Sequence, residues 1–324
     1  MTKELHEPTD RDRFVESPEE GDYPVLEGEN IYQFSHSPRF VDDLASPRYW
    51  SKDTDDPEDS ARARVREKAF NKGYLKKALY ESFGGKSTSQ SQVQFVDELL
   101  EEKRGKKLSE TDVLPDYTEY RIGYRKISNS TNERTMVATV IPKGAVCIES
   151  VQLFRPYELN PEEQHLEQAN LHNAYERIFT DRELFCAVGL INSIPFDFLM
   201  RTKIETNMVK YKVEETQVPR LTKGDDWFRF VSNRAAKLNC YGEEFSEMRS
   251  RLGGIKPATS EEERLLAQAE LDAAAFHAYG LEPEETEFVL KDFHRVTNPR
   301  IMTEDYFDTV FEKYKTLGEE GPKP

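Results

Sequence analysis

Little in this 324-residue sequence invites a covalent or metal-held framework. Its three cysteines, Cys147, Cys186 and Cys240, are isolated, with no CxxC pair and no histidine at ligand spacing. Neither a disulfide scaffold nor a zinc site is therefore encoded. No run of eighteen apolar residues occurs, and the first thirty residues are acidic where a secretory leader is basic and then apolar. Membrane spanning and export are not expected, and the compartment reads as cytoplasmic. There is no GxSxG, and no Cys and His pairing that suggests a nucleophile. Gly85-Lys86-Ser87 imitates the end of a phosphate loop, but the first glycine of that pattern would fall at Tyr80 and a helical stretch precedes it. It reads as a linker. Ser193-Ile194-Pro195-Phe196 resembles the base-holding sequence of amino-methylating enzymes with Ile194 where the first proline belongs, and no glycine-rich S-adenosylmethionine loop precedes it.

Positive charge is also scarce. The chain holds 45 basic and 61 acidic residues for a net charge of -16, a field that repels phosphate. The distribution is uneven, with 6 basic and 17 acidic residues over 1–60 but 12 and 7 over 61–110. A second island, residues 121–143, carries Arg121, Arg125, Lys126, Arg134 and Lys143 against Glu133, whereas residues 258–324 hold 7 basic and 16 acidic side chains. Two basic islands in an acidic chain are consistent with docking of a polyanion, and equally with uneven solvated faces.

With 37% hydrophobic residues the chain can bury a core. Residues 1–22 are polar and acidic and suit a flexible lead-in. Residues 24–34 bracket a turn signal and predict a strand, turn and strand. Residues 59–83 show helical periodicity, closed by Gly84-Gly85, and residues 84–92 form a flexible link before a helix over 93–103. From Tyr120 the period changes to two. Residues 120–125 and 135–141 are strands joined by the turn formers of SNSTNE, which makes a β-hairpin with an arginine-flanked tip. Another strand is expected over 145–154 and a helix start near Asn160-Pro161. Helices follow over 181–192 and 196–203 across Pro195, and over 227–238. Ser260 with Glu263 caps a long helix ending at Gly280, and Thr303 caps the last one. His277 reads as a packed histidine on the alanine-rich face. The expected fold class is α+β, a β-containing recognition core with a hairpin followed by a helical C-terminal region. Its units are a lead-in over 1–22, a core over 23–222 with a basic helical insertion at about 50–116, and a helical region over 223–324.

The hairpin has the chemistry of base readout, since arginine pairs with guanine, asparagine with adenine, and hydroxyls with phosphates. Its candidates are Arg121, Arg125, Asn129, Thr131, Asn132 and Arg134. A reading in which asparagine and serine are merely turn formers stands beside it.

The stretch 121–142, RIGYRKISNSTNERTMVATVIP, resembles the start of the target-recognition region in the large adenine-specific DNA methyltransferases of type IIG restriction–modification and BREX phage-defence systems. Further blocks are similar in the same order: Val25-Leu26-Glu27-Gly28 through Gln33-Phe34; Leu190-Ile191-Asn192-Ser193 through Arg201 with Val218-Pro219-Arg220; and Ala269-Glu270-Leu271-Asp272 with Tyr279-Gly280-Leu281 and Leu290 through Phe293. The resemblance spans residues 24–300, apart from an unmatched insertion at 50–116. It implies a specificity module of the TaqI C-terminal type that binds double-stranded DNA. It also implies a separate methyltransferase catalytic subunit, or a split or truncated gene, because the family's catalytic half is missing. No catalytic residue, metal or cofactor is expected in this chain, S-adenosylmethionine belonging to the catalytic partner. Arg201 and Lys203 are added as backbone-contact candidates. The alternative is an acidic interaction module or DNA mimic, which would display carboxylates where this tip displays arginines.

Overall fold

The structure is a computed structural model that describes residues 4–41, 44–52 and 59–323. The fold is α+β. Nine strands make three sheets among the described residues. The first contains β1 (Phe14–Val15), β2 (Gly21–Leu26), β3 (Arg48–Ser51) and, out of chain order, β6 (Val146–Cys147) in the spatial order β1-β3-β2-β6. The second is β5-β4-β7, with β4 (Arg121–Arg125), β5 (Ala138–Ile141) and β7 (Val151–Leu153) all antiparallel. The third pairs β8 (Tyr157–Leu159) with β9 (Tyr175–Arg177).

The predicted hairpin is β4 and β5, paired from Arg121 opposite Ile141 to Tyr124 opposite Ala138. Every residue of β5 is buried, as its β-branched run suggests. It lies at a sheet edge, where its outward amides and carbonyls need partners. Side-chain amides supply them. Asn192 accepts from the Ala138 N–H at 2.9 Å and donates to its carbonyl at 2.8 Å, and Asn239 accepts from Val140 N–H at 2.8 Å. Asn192 caps the C-terminus of the helix Asp181–Ile191 and Asn239 ends the helix Asp226–Asn239, so both helices are tied to the hairpin. Their apolar faces and those of β4 and β5 share a core running from Phe34 to Leu271, so the expected boundary at 222/223 falls between segments of one core. The helices Glu261–Ala278, Pro283–Asp292 and Glu304–Glu320 enclose a second cluster around Phe276, Phe293 and Tyr306.

Local signals placed many elements. Ser260 and Glu263 form the predicted capping box, Thr303 accepts from Tyr306 N–H, and Gly280 follows the long helix with φ +70°. Several expectations are corrected. Residues 59–83 are two helices, Ala61–Asn71 and Tyr74–Ser82, separated at Gly73, whose φ of +69° no helix accommodates. The strand expected over 145–154 is β6 and β7 with a turn between. Only an isolated bridge, Tyr32 to Ser35, stands where the second strand of 24–34 was expected. Residues 4–22 are not a free lead-in: Leu5 is fully buried and its N–H donates to the Cys147 carbonyl, while residues 1–3 lie outside the described residues. Residues 53–58 of the insertion also lie outside them. The Gly85-Lys86-Ser87 triplet is one 3-10 turn packed under Tyr80. The helix Pro283–Asp292 was not foreseen.

Several cations of the first basic island, and Arg13 before it, find carboxylates within the fold. Arg64 and Lys68 both reach Asp10, Arg13 reaches Asp59, and Arg104 makes a two-pronged pair with Asp112 at 2.7 Å. Asp10 of the acidic start thus joins two cations of the basic insertion.

Candidate nucleic-acid interface

The tip of the hairpin, residues 126–137, is built on hydrogen bonds to its own backbone. The Asn129 side-chain oxygen accepts from Thr131 N–H at 3.1 Å, the Ser128 hydroxyl donates to the Thr135 carbonyl, and Asn132 N–H donates to the Asn129 carbonyl. Asn129 is therefore a turn former first. Two residues one helical turn apart on Ile194–Arg201 then grip the tip from below. Asp197, fully buried, accepts from Thr135 N–H at 3.2 Å and from Met136 N–H. Arg201 donates to the carbonyls of Ser130 at 2.6 Å, Asn132 at 2.9 Å and Glu133 at 2.7 Å, and to Asp197 at 3.1 Å. One side chain satisfies donors, the other acceptors. The proline that interrupts the helical pattern sits at the start of this helix, where its missing N–H costs nothing.

The candidate arginines do not share one face. Arg121 lies at the base of the hairpin with no exposure and donates to Glu4 and to the Ala145 carbonyl, both at 2.7 Å. Arg134 is 3% exposed and donates to Asp272 at 2.9 Å. Both were expected to flank an exposed tip, and both are instead inside, because a carboxylate distant in sequence makes burial of the guanidinium tolerable. Burial acts to lower the Arg134 pKa, and Asp272 more than reverses it. Burial likewise raises Asp272 against the pull of Arg134, the Tyr306 hydroxyl and Ile194 N–H. Arg125 is half-buried, its Nε donating to the Ile31 carbonyl at 2.8 Å, and burial lowers its pKa. Lys203 donates to the Glu215 carbonyl and the Thr216 hydroxyl. Thr131 and Asn132 are exposed, and among the described residues neither side chain takes a partner. Ile127, which bridges to Asn207, is 70% exposed.

Sequence reasoning missed the supports of the tip. Glu133 accepts from Ile301 N–H at 2.6 Å, Met302 N–H at 2.7 Å and the Tyr32 hydroxyl at 3.3 Å, which joins three distant segments at one carboxylate. On another flank Ser128 N–H donates to the Thr206 carbonyl and Met208 N–H to Lys126. A cleft of about 580 Å³ beside the tip is lined by Arg125 and Arg300 and by Glu7, Glu27 and Glu29, so its charge is mixed. No group of three or more His, Cys, Asp or Glu that could hold a metal is found among the described residues.

The residues that carry the sequence resemblance meet in this region. Gln33 donates to the carbonyls of Met136 and Asn192 and accepts from Gln268, while Asp272 ties Arg134 to Ile194 and Tyr306. All four blocks thus contribute to one buried polar network under the hairpin.

No single helix among the described residues is long and apolar enough to cross a membrane. The chain matches no protein-family model and no curated protein. Among solved structures it is similar to the type IIL restriction–modification enzyme MmeI in complex with DNA, with 13% identity and a TM-score of 0.36 over 96% of this chain. The chain spans about a third of that enzyme's length, 32%.

Proposed function

We propose that this chain is the DNA sequence-recognition part of an adenine-N6 DNA methyltransferase in a restriction–modification or phage-defence system, with catalysis and S-adenosylmethionine supplied by a separate part. One observation carries the reading. Asp197 and Arg201 fix the backbone of the hairpin tip while leaving Thr131, Asn132 and Ile127 facing solvent, which is how a rigid element presents hydrogen-bonding and apolar groups to base edges. The arginines assigned from sequence are recast by this arrangement: Arg201, Arg134 and Arg121 hold the reader, and Thr131 and Asn132 read. The sequence resemblance supports the family assignment, and the convergence of its blocks under the tip supports a common purpose for them.

The test is calorimetry and fluorescence anisotropy on the full chain. It is expected to bind duplex DNA at low salt, to show no heat with S-adenosylmethionine and to methylate nothing alone. A micromolar cofactor affinity would contradict the division of labour. A second reading, an acidic module that occupies another protein's DNA channel, draws on the pairing of Arg64, Lys68, Arg121 and Arg134 with carboxylates within a chain of net charge -16. Failure to bind any duplex at 50 mM salt would favour it.

A further inference from the structure

Residues 258–324 hold 7 basic and 16 acidic side chains, yet one stretch of them breaks the pattern. Residues 293–303, FHRVTNPRIMT, contain two arginines, a histidine and no carboxylate. The elements on either side are acidic: Glu284, Glu285, Glu287 and Asp292 on the helix before, Glu304, Asp305 and Asp308 on the helix after. Both ends of this loop are fastened to the hairpin tip. At one end the buried Phe293 ring lies 4.4 Å from the Arg201 guanidinium and 5.8 Å from that of Arg134. At the other, Glu133 takes the N–H groups of Ile301 and Met302. Between those points His294, Arg295, Thr297, Asn298 and Arg300 are exposed, and the Arg300 guanidinium stands 5.0 Å from the ring of Tyr32, whose hydroxyl donates to Glu133. The tip and the loop are therefore joined at both ends, with uncharged polar groups on the first and two arginines on the second, Arg295 paired with the exposed Glu304 at 2.7 Å and Arg300 at the cleft that Glu7, Glu27 and Glu29 also line.

Resting on the reading of the tip as a DNA reader, we infer that loop 294–300 is its backbone clamp, contacting phosphates beside the bases that the tip addresses. Uncharged amides and hydroxyls discriminate base edges but add little to association, whereas cations neutralise phosphate and release counterions without regard to sequence. A reader carried by a chain of net charge -16 needs such a surface beside it, and this loop supplies one fixed to the tip at both ends.

The experiment measures binding of the full chain to a randomised duplex library and to a single duplex between 50 and 200 mM salt. Arg300→Gln is expected to weaken binding roughly tenfold at 50 mM and to shallow the salt slope by about one unit, with the selected sequence unchanged. Asn298→Glu, which places a carboxylate at an exposed loop position, should weaken binding in the same direction while leaving the melting temperature alone. Lys77→Gln, at an exposed lysine of the insertion, is the control and should change neither quantity. Wild-type selection of a motif together with unaltered affinity and slope in both loop variants would overturn the clamp and leave the tip reading intact. A changed preference at one base position in Arg300→Gln would overturn the backbone assignment, and loss equal to that of Arg300→Gln in the Lys77 control would reduce the effect to overall charge. If the wild type binds no duplex, the tip reading and the clamp fall together.

Discussion

Arg134 illustrates how a side chain legible as a surface reader becomes structural once its partner is known. Asp272 lies 138 residues away in sequence and 2.9 Å away in space, so nothing local to the hairpin announces the pair. Replacing Arg134 by Ala leaves Asp272 buried with only Tyr306 and Ile194 to donate to it, and is expected to cost about 3–5 kcal/mol in urea unfolding. A loss below 0.5 kcal/mol would mean that the guanidinium is exposed after all. Arg201 acts differently, because its loss frees the tip more than it unsettles the core. Arg201→Lys keeps the charge but not the fork that reaches three carbonyls, and should lower DNA affinity with a smaller change in stability than Arg134→Ala. The cysteines give a third check at this scale. All three are buried and free, and burial pushes the Cys186 thiol up to about 12 and raises those of Cys147 and Cys240. Native protein should therefore leave a thiol reagent unreacted at pH 8, with three equivalents released on unfolding.

Some elements whose ends carry local chemistry were legible, although Pro283–Asp292, with its Glu282 and Glu285 capping box, was not. Ser260 and Thr303 cap their helices through contacts three residues apart, and the β4–β5 pairing follows from alternation plus turn formers. What the sequence concealed depends on distant partners or on competition between local signals. Gly73 interrupts a periodicity that otherwise runs on, and only its positive φ reveals two helices rather than one. The acidic N-terminal segment is unremarkable by composition, but its Glu4 and Asp10 find cations 117 and 58 residues onward. Within the insertion the Arg104–Asp112 pair is both buried and short-range, and although burial alone would raise the Asp112 pKa, the guanidinium and Ser109 N–H hold it below the usual value. Its folded pKa is depressed, so its contribution is present above about pH 4 and is lost as pH falls through the folded value. Asp112→Asn should accordingly destabilise the protein at pH 7 by about 3 kcal/mol and by progressively less below pH 4. A pH-independent difference would show that the charge of Asp112 contributes nothing to the fold.

At the scale of the whole molecule, the structure separates side chains that the sequence grouped in one cluster. The α+β class and the hairpin were readable; the burial of Arg121 and Arg134 was not, since burial is a property of the assembled core. Arg121 and Arg134 pair with carboxylates inside the fold, leaving Thr131 and Asn132 exposed at the tip. A direct test of this account is selection from a randomised duplex library by the full chain and by Asn132→Ala. The wild type should enrich one motif, and the variant should relax a single position of it, worth roughly 1–3 kcal/mol, with the melting temperature unchanged. An identical motif in both proteins, or none in either, would contradict the assignment of the tip as the reader.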